Sequence, residues 1–310
     1  MSTSPCTFYR SAPRRAGLST TLRPAGFDDF PAIAAVESAA GLPAKTRPQW
    51  LRLWLENPAF RELPGWPIGW VLLDSGSRIV GSIGNIPVFF HFAGRRYIAA
   101  SACGWAVLPE FRAHSFRLLT EQLRQPLVEL HITTTANEIA SALYARLGWS
   151  RPPVGLWDHS AVWVTGFSSL LPGGSHAHSP RFESESLFRS GPFTFRLSWC
   201  STFDARFDDF WDLLLRRRPQ TLLASRTCGT LSWHYQRALE ENRLHILTAS
   251  TSAGLGAFAA FERRDSASHG ISRVLLVDWQ SLHIDPPLCS AMFRFALQSF
   301  RHHRIQILEN

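Results

Sequence analysis

The sequence lacks the features that would place the chain across a membrane, in a disulfide scaffold or around zinc. No apolar run approaches the ~20 residues that span a bilayer, because even rich stretches such as 83–92 contain Asn, Pro or His. The five cysteines are an odd number, lie far apart and form no C-x-x-C pair. These absences favour a soluble protein in a reducing, cytoplasmic setting.

The N-terminus lacks both acidic residues and the apolar core of a signal peptide. Residues 1–21 contain three arginines among several Ser and Thr residues. This composition predicts a disordered tail over residues 1–19, and a targeting segment is the alternative.

The usual signatures of hydrolytic, metal and nucleotide chemistry are also missing. The sequence contains no H-E-x-x-H, G-x-S-x-G, Walker-type Gly-Lys-Ser/Thr or G-x-G-x-x-G motif. His176, His178 and the adjacent His302 and His303 are poorly spaced as metal ligands. No metal site is therefore expected.

The size and charge of the chain set its broad class. With 310 residues, 45% hydrophobic and 18% charged, it can bury a large core and is longer than one typical domain. The net charge of +8 comes from scattered arginines, and the cluster 216–218 falls at the end of a predicted helix, where cations complement the dipole. Nucleic acid is not an expected partner, whereas an anionic cofactor is compatible with the charge.

Two similar halves flank a segment rich in Gly, Ser, His and Pro. That segment, 168–192, predicts a linker between domains 20–167 and 193–310. The tetrapeptide Phe-Asp-Asp-Phe at 27–30 recurs at 207–210, and three further landmarks recur in the same order. They are the pairs Trp50 and Trp233, Gly81 and Gly256, and Trp105 and Trp279, at offsets between 174 and 183 residues. This pattern indicates a duplication.

Hydrophobic periodicity predicts an α/β order in the first half, repeated from residue 193 onward. The predicted strands are 20–24, 69–74, 78–92, 96–108 and 127–133, and the predicted helices are 28–40, 48–56, 115–125 and 137–147, with an extended stretch to residue 164. The second half ends at a strand predicted over 304–308, without the closing helix and strands of the first. We expect this half to be degenerate, and incomplete or open at a sheet edge that would favour a homo-oligomer.

The strand 98–108 runs into the segment Pro-Glu-Phe-Arg-Ala-His-Ser-Phe-Arg-Leu-Leu, residues 109–119. This succession resembles the strand, pyrophosphate loop and helix of the GNAT acyltransferase superfamily. Backbone N–H groups entering a helix lack intrahelical partners and, with the helix dipole, attract an anion. The resemblance implies an acyl-CoA site made by Arg112, Ala113, His114, Ser115, Phe116 and Arg117, with backbone N–H groups near Val107 and Leu108 polarising the thioester carbonyl.

The loop departs from the family pattern at two positions. The family's loop reads Arg/Gln-x-x-Gly-x-Gly/Ala, whereas this chain has Ser115 and Arg117 where small residues normally admit the phosphates. Ser115 offers a hydroxyl. Arg117 either blocks the site or turns outward to pair with a phosphate.

A second motif follows at residues 137–149. It is similar to the family pattern Asn-x-x-Ala-x-x-x-Tyr-x-x-x-Gly-Phe, with Trp149 in place of Phe. Asn137, Ala140 and Tyr144 share one helical face. The resemblance implies that Asn137 contacts the pantetheine arm and that Tyr144 protonates the departing thiolate. The alternative is an ordinary N-cap with a core tyrosine.

The general base has no clear signature. Glu110, His114 and His131 lie within range, but none is assigned because such residues are commonly solvated or hydrogen-bonded. In the second half, a strand over 273–282 is followed by Pro286 and Pro287, which remove two N–H donors. This half is expected to shape the acceptor site or an interface.

The resemblance implies two tandem GNAT-like domains, each a mixed, mostly antiparallel sheet flanked by helices. It implies an acyl-CoA-dependent N-acyltransferase, with acetyl-CoA or another acyl-CoA as cosubstrate. The acceptor would be a small-molecule or amino-sugar amine that attacks the thioester directly. Two alternatives remain: a catalytically inactive GNAT-like binding or scaffold protein, and an aminoacyl transferase of the peptidoglycan-bridging type with an aminoacyl-tRNA partner.

Overall fold

The computed structural model describes residues 19–134, 136, 138–151, 160–165, 182, 184–266 and 270–310. Nearly all of the predicted tail and much of the predicted linker lie outside these ranges. The chain divides into two compact units, one formed by residues 1–87 and 98–135 and the other by residues 88–97 and 136–310. Among the described residues, no helix has the length and apolar character needed to cross a membrane.

The first unit follows the predicted order of elements. Its strands are β1 (Thr21–Pro24), β2 (Gly69–Leu73), β3 (Ile79–Phe92), β4 (Arg95–Val107) and β5 (Leu130–Ile132), and its helices are α1 (Phe30–Ala39), α2 (Arg47–Leu55), α3 (Pro58–Glu62) and α4 (Ser115–Leu123). The short α3 was not predicted. Asn57 caps it by accepting a hydrogen bond from the Ala59 N–H, and Pro58 occupies its first position.

The sheet of the first unit has the order β1-β2-β3-β4-β5. Helices α1 and α2 bury Ile33, Val36, Trp50 and Trp54 against the strands. The Trp54 ring is fully buried, and its Nε1 donates to the Asn85 carbonyl at 2.8 Å. This bond removes the desolvation cost of the indole N–H, so a large aromatic ring can anchor the core.

β4 and β5 are parallel neighbours over only a short stretch. Their register runs from Ala99 opposite Leu130 to Ser101 opposite Ile132. β4 then continues to Val107, six residues beyond the last paired position. Its far end therefore extends past the β5 register.

The second unit repeats this arrangement with more strands. After helix α5 (Glu138–Arg146) come β6 (Val162–Val164), β7 (Glu185–Ser190), β8 (Phe193–Cys200), α6 (Ala205–Arg217), β9 (Leu223–Ala224) and α7 (Cys228–Glu240). The unit ends with β10 (Leu244–Thr251), β11 (Gly254–Arg263), β12 (Arg273–Ser281), α8 (Pro286–His302) and β13 (Ile307–Glu309).

The duplication predicted from the sequence is visible in the strand order. The second sheet runs β6-β13-β12-β11-β10-β8-β7, and its segment β8-β10-β11-β12-β13 matches β1-β2-β3-β4-β5 of the first sheet. In both sheets the last pair is parallel. Side chains of β11 alternate between two cores: Ala259 and Phe261 face the α8 side, whereas Phe258 and Ala260 face α6 and α7.

Three expectations about the second half need correction. The predicted linker contains β7, whose residues pair with β8 along its whole length. The last strand is not an open edge, because β6 pairs antiparallel with β13. The contact boundary also falls at residues 135–136, so α5 and β6 belong to the second unit and not, as predicted, to the first domain. The pairing of β6 with β13 joins residues more than a hundred positions apart and left no local signal in the sequence.

A buried histidine makes the second unit sensitive to acid. His245 on β10 is 7% exposed, and its ring centroid lies 4.7 Å from that of Phe182. Burial, with smaller contributions from Arg263 and His303, lowers the pKa of His245 to about 4. An unfolded chain binds this proton near pH 6.5. Folding stability from His245 is therefore complete above pH 6.5 and is lost as the pH falls towards 4.

We expect the free energy of unfolding to fall by about 2 kcal/mol between pH 7.5 and pH 5.0 through His245 alone. Urea titrations at the two pH values measure this loss. His245→Gln should abolish this pH-dependent loss of stability, because glutamine does not titrate. The control His303→Gln, at a less buried position, should retain most of the loss. Equal acid sensitivity in His245→Gln and the unmodified protein would contradict the assignment.

Candidate active site

The end of β4, the following turn and the start of α4 form the region predicted to hold the cosubstrate. Residues 109–114 form a 3-10 turn that leads directly into α4. Arg112, Ala113, Phe116 and Arg117 are exposed, and His114 and Ser115 are partly exposed. Within the described structure, no side chain caps the α4 N-terminus. The amides at this end of the helix therefore have no side-chain acceptor among the described residues.

The two backbone amides predicted to polarise a carbonyl differ in orientation. The Leu108 N–H donates to the Val80 carbonyl at 2.9 Å, so the prediction that it is available is wrong. Successive N–H groups of a strand point to opposite edges. The Val107 N–H therefore points away from β3, towards the side where β4 extends beyond β5.

The turn uses the Ser115 amide, which the sequence predicted to be available for phosphates, and the neighbouring Phe111 amide, for which no prediction was made. The Phe111 N–H donates to the Leu108 carbonyl at 2.9 Å, and the Ser115 N–H donates to the Arg112 carbonyl. Without a glycine between 109 and 117, the backbone takes helical angles, such as −57° and −33° at Ser115. The amide set is accordingly smaller than in an open glycine loop.

Arg117 has a partner within the first unit. Its Nη1 donates to the carbonyl oxygen and to the hydroxyl of Thr20, at 2.6 and 2.7 Å. The side chain therefore joins α4 to the residue before β1. Neither predicted role of Arg117, blocking the site or pairing with a phosphate, included this contact. The sequence offers no local signal for a pair 97 positions apart.

The second motif lies in the second unit. Asn137 lies outside the described residues. Tyr144 on α5 is 5% exposed, and its ring centroid is 4.5 Å from that of Trp149. Of the candidate bases, His131 lies on β5, and burial lowers its pKa. Glu110 is exposed at the start of the 3-10 turn.

A buried carboxylate beside β4 was missed by sequence reasoning. Gly104 lies within β4 with a φ of 57°, the left-handed conformation found at glycine bulges. A Cβ there would overlap the Glu37 carboxylate, which is 7% exposed as a residue and bonds the Lys45 ammonium at 2.7 Å. Glu37 follows Ile33 and Val36 on the buried face of α1. An acid on an apolar helix face was the signal that could have identified it.

The second unit carries a different polar pair on its corresponding strand. Asp278 on β12 has a side chain that is only 7% exposed, and it accepts from Arg226 Nε at 2.8 Å. At the start of α8, the Asp285 carboxylate accepts the Leu288 N–H, next to Pro286 and Pro287. An anion has little reason to bind where a carboxylate already caps the helix. This geometry supports the interpretation that the second half does not bind the cosubstrate.

No group of three His, Cys, Asp or Glu side chains in the described part of the chain is arranged to hold a metal ion. Cys103, Cys200, Cys228 and Cys289 are free thiols.

The fold and this site define a two-domain GNAT-like architecture, and solved structures share it. A probable N-acyltransferase from Enterococcus faecalis V583, a conserved protein of unknown function, has a TM-score of 0.58 at 14% identity, covering 94% of this chain and 65% of its own. A GCN5-related N-acetyltransferase from Anabaena variabilis has the same TM-score, the same identity and the same coverage of each chain. Saccharomyces cerevisiae N-myristoyltransferase with bound myristoyl-CoA has a TM-score of 0.53 at 11% identity, over 99% and 76% of the two chains.

The likeness establishes a GNAT-like fold in two tandem domains, as the sequence predicted. The chain spans about two thirds of the length of the first two of these proteins. No protein-family model and no curated protein matches the sequence.

Gly104→Ala tests the constraint on β4. We expect it to lower the free energy of unfolding by about 3 kcal/mol, because alanine resists a positive φ and its Cβ displaces a buried, ion-paired carboxylate. Gly94→Ala is the matched control: Gly94 has a φ of 74°, but no atom of the described residues lies within 4 Å of a Cβ there. It should cost only about 1 kcal/mol. Equal losses in urea unfolding would show that Glu37 does not restrict position 104.

Proposed function

We propose that this protein is an acyl-CoA-dependent N-acyltransferase whose cosubstrate binds the first unit. The observation that carries the proposal is the pairing of the outward Val107 N–H on β4 with the uncapped N-terminus of α4. Together they offer one donor for a thioester carbonyl and a positive helix end for a diphosphate. The GNAT-like fold of the chain supports the same reaction class.

The charges around this turn suit an anionic cosubstrate. Arg112 and His114 lie in the last turn before α4, and the only acidic side chain of the 3-10 turn is Glu110 at its start. Arg112 is exposed and so can turn its guanidinium towards a phosphate. Because Phe111 and Ser115 already use their amides, side-chain charge has a larger share in this proposal than in the sequence-based prediction.

The proposed chemistry is direct transfer. A neutral amine of the acceptor attacks the thioester carbon, a C–N bond forms, and the C–S bond breaks to release the thiolate of coenzyme A. The Val107 N–H would stabilise the negative charge that develops on the carbonyl oxygen. Tyr144 remains the proposed donor of the proton that the thiolate receives.

We further propose acetyl-CoA as the cosubstrate, an amine of a small molecule or amino sugar as the acceptor, and a cytoplasmic location. A relative that binds myristoyl-CoA indicates that this architecture also accommodates a long acyl chain. Binding measurements with acetyl-CoA and with longer acyl-CoA species would therefore be made side by side.

Acetyl-CoA binding by calorimetry tests the proposed site. We expect Arg112→Ala to weaken binding roughly tenfold, since it removes a hydrogen bond from a cation to a phosphate, about 1.5 kcal/mol. Arg124→Ala is the control, because Arg124 is exposed at the opposite end of α4 and pairs with Glu121. Absence of binding at millimolar acetyl-CoA and longer acyl-CoA would contradict the proposal and favour the inactive-scaffold alternative.

Tyr144→Phe tests the proposed proton donor. Loss of the Tyr144 hydroxyl should lower kcat roughly 100-fold, because the hydroxyl acts only as the thiolate leaves. The affinity for acetyl-CoA should change less than about twofold. Tyr235→Phe is the control: Tyr235 is similarly buried, and its hydroxyl donates to the Val277 carbonyl. An unchanged kcat in Tyr144→Phe would remove Tyr144 from the mechanism.

A further inference from the structure

Lys45 is the only lysine in a chain with 32 basic Lys and Arg residues. It lies in the irregular segment between α1 and α2, just before Thr46, which caps α2. Its Nζ donates to Glu37 Oε2 at 2.7 Å, and its side chain is 31% exposed. All the remaining residues of this set are arginines, and the one lysine lies where the cation meets a buried carboxylate.

Glu37 and Lys45 line a small cavity inside the first unit. The cavity encloses about 20 Å³, with apolar walls that include Ile33 and Trp50. That volume remains with Lys45 in place and admits about one water molecule. Withdrawal of the Lys45 ammonium from Glu37 would enlarge the space by one ammonium group.

A buried hydroxyl on the cavity wall lacks a partner. Ser82 on β3 lines the cavity and is 2% exposed, and its Oγ makes no hydrogen bond with any described residue. Leaving a buried hydroxyl unbonded is destabilising, because the group loses its hydrogen bonds to water and gains none in the protein. Such an atom is explained if it accepts a hydrogen bond from a molecule that enters the cavity.

The thiol of Cys103 completes the polar lining without adding charge. Burial raises the pKa of Cys103 to about 12, so the thiol stays neutral at pH 7. The cavity then offers one carboxylate, one hydroxyl and one neutral sulfur. A primary ammonium carries one positive charge and three N–H donors, which matches this set.

The cavity lies beside the strand assigned to the reaction. Glu37 is against Gly104 of β4, three residues before Val107, whose N–H is proposed to bind the thioester carbonyl. Three strand residues span roughly 10 Å. A compound whose ammonium group occupies the cavity would therefore extend along the strand towards the acyl group.

We propose that the cavity is a site for a primary ammonium group of the acceptor, separate from the neutral amine that is acylated, and that Lys45 Nζ, which borders the cavity, is a placeholder that this ammonium displaces from Glu37. This inference rests on the proposed function for its catalytic meaning, but the binding event itself does not require acyl-CoA. Ser82 Oγ is a second acceptor for the incoming ammonium.

The single lysine allows a direct test by NMR. With lysine labelled by ¹³C and ¹⁵N in the otherwise unmodified protein, the side chain gives one set of signals. On titration with n-propylamine, these signals should move to the position of a solvated lysine, because the added ammonium replaces Nζ at Glu37. n-Propanol, which is similar in size but uncharged, should leave them unchanged. Lysine signals unaffected by saturating n-propylamine would overturn the proposal.

Steady-state kinetics separates displacement from a structural ion pair. With an amine acceptor found by thiol release, Glu37→Gln should raise its KM at least tenfold, whereas Lys45→Ala should lower it several-fold by removing a competitor. Asp29→Asn is the control, since it breaks the Arg23–Asp29 pair of the same unit away from the cavity. Changes of the same sign in Glu37→Gln and Lys45→Ala would indicate a structural pair only.

Ser82→Ala tests the same cavity with a variant that should fold even if Glu37→Gln does not. Because Oγ has no described partner in the free protein, its removal should leave the melting temperature unchanged or higher, while n-propylamine affinity falls several-fold. Unchanged affinity would overturn the role of Ser82.

If n-propylamine displaces Lys45 but no acyl-CoA binds, the ammonium site stands and the proposed reaction fails. Acylation of Lys45 itself, seen by mass spectrometry, would make this residue the acceptor and overturn its placeholder role.

Discussion

The left-handed backbone of Gly104 is the constraint on which the first unit depends. A strand that adopts a φ of 57° at one residue shifts its alternation there. β4 runs on beyond its register with β5, and Val107, three residues after Gly104, directs its N–H away from β3. The same glycine gives the Glu37 carboxylate room to approach the strand. The buried charge and the proposed carbonyl donor thus lie close together on one strand.

A carboxylate buried at this point has to be compensated, and the compensation explains its neighbours. An isolated buried carboxylate is strongly disfavoured, so it requires a cation and further hydrogen bonds. Lys45 supplies the cation from a segment outside the regular helices, with its stem partly exposed. Such a partner can be exchanged at smaller cost than one fixed in a packed helix, because the chain carrying it makes few regular hydrogen bonds. The proposed binding of an ammonium group therefore depends on electrostatics more than on shape.

Local patterns in the sequence were sufficient for the duplication and for the helices and strands of the first unit except the short α3, whereas β7 fell in the predicted linker. Apolar spacing identifies α1 and α6, and Trp105 and Trp279 mark the equivalent strands β4 and β12, where both side chains are partly buried. Contacts between distant segments could not be read in this way. Arg117 meets Thr20 across 97 positions, and β6 pairs with β13 across more than 140. The 3-10 turn at 109–114 follows from missing glycines, a signal present in the sequence but interpreted there only as a departure from the family loop.

The two units show how one architecture acquires different chemistry at an equivalent point. The offset that relates Trp105 to Trp279 also relates Gly104 to Asp278, and the register of β12 shifts between Leu276 and Asp278. Both strands thus have an irregularity and a buried carboxylate there, but in the second unit the acid belongs to the strand and is held by Arg226. A guanidinium bound to both oxygens leaves little room for exchange. With Asp285 capping α8, neither of these two points in the second unit offers the exchangeable charge that we propose for the first.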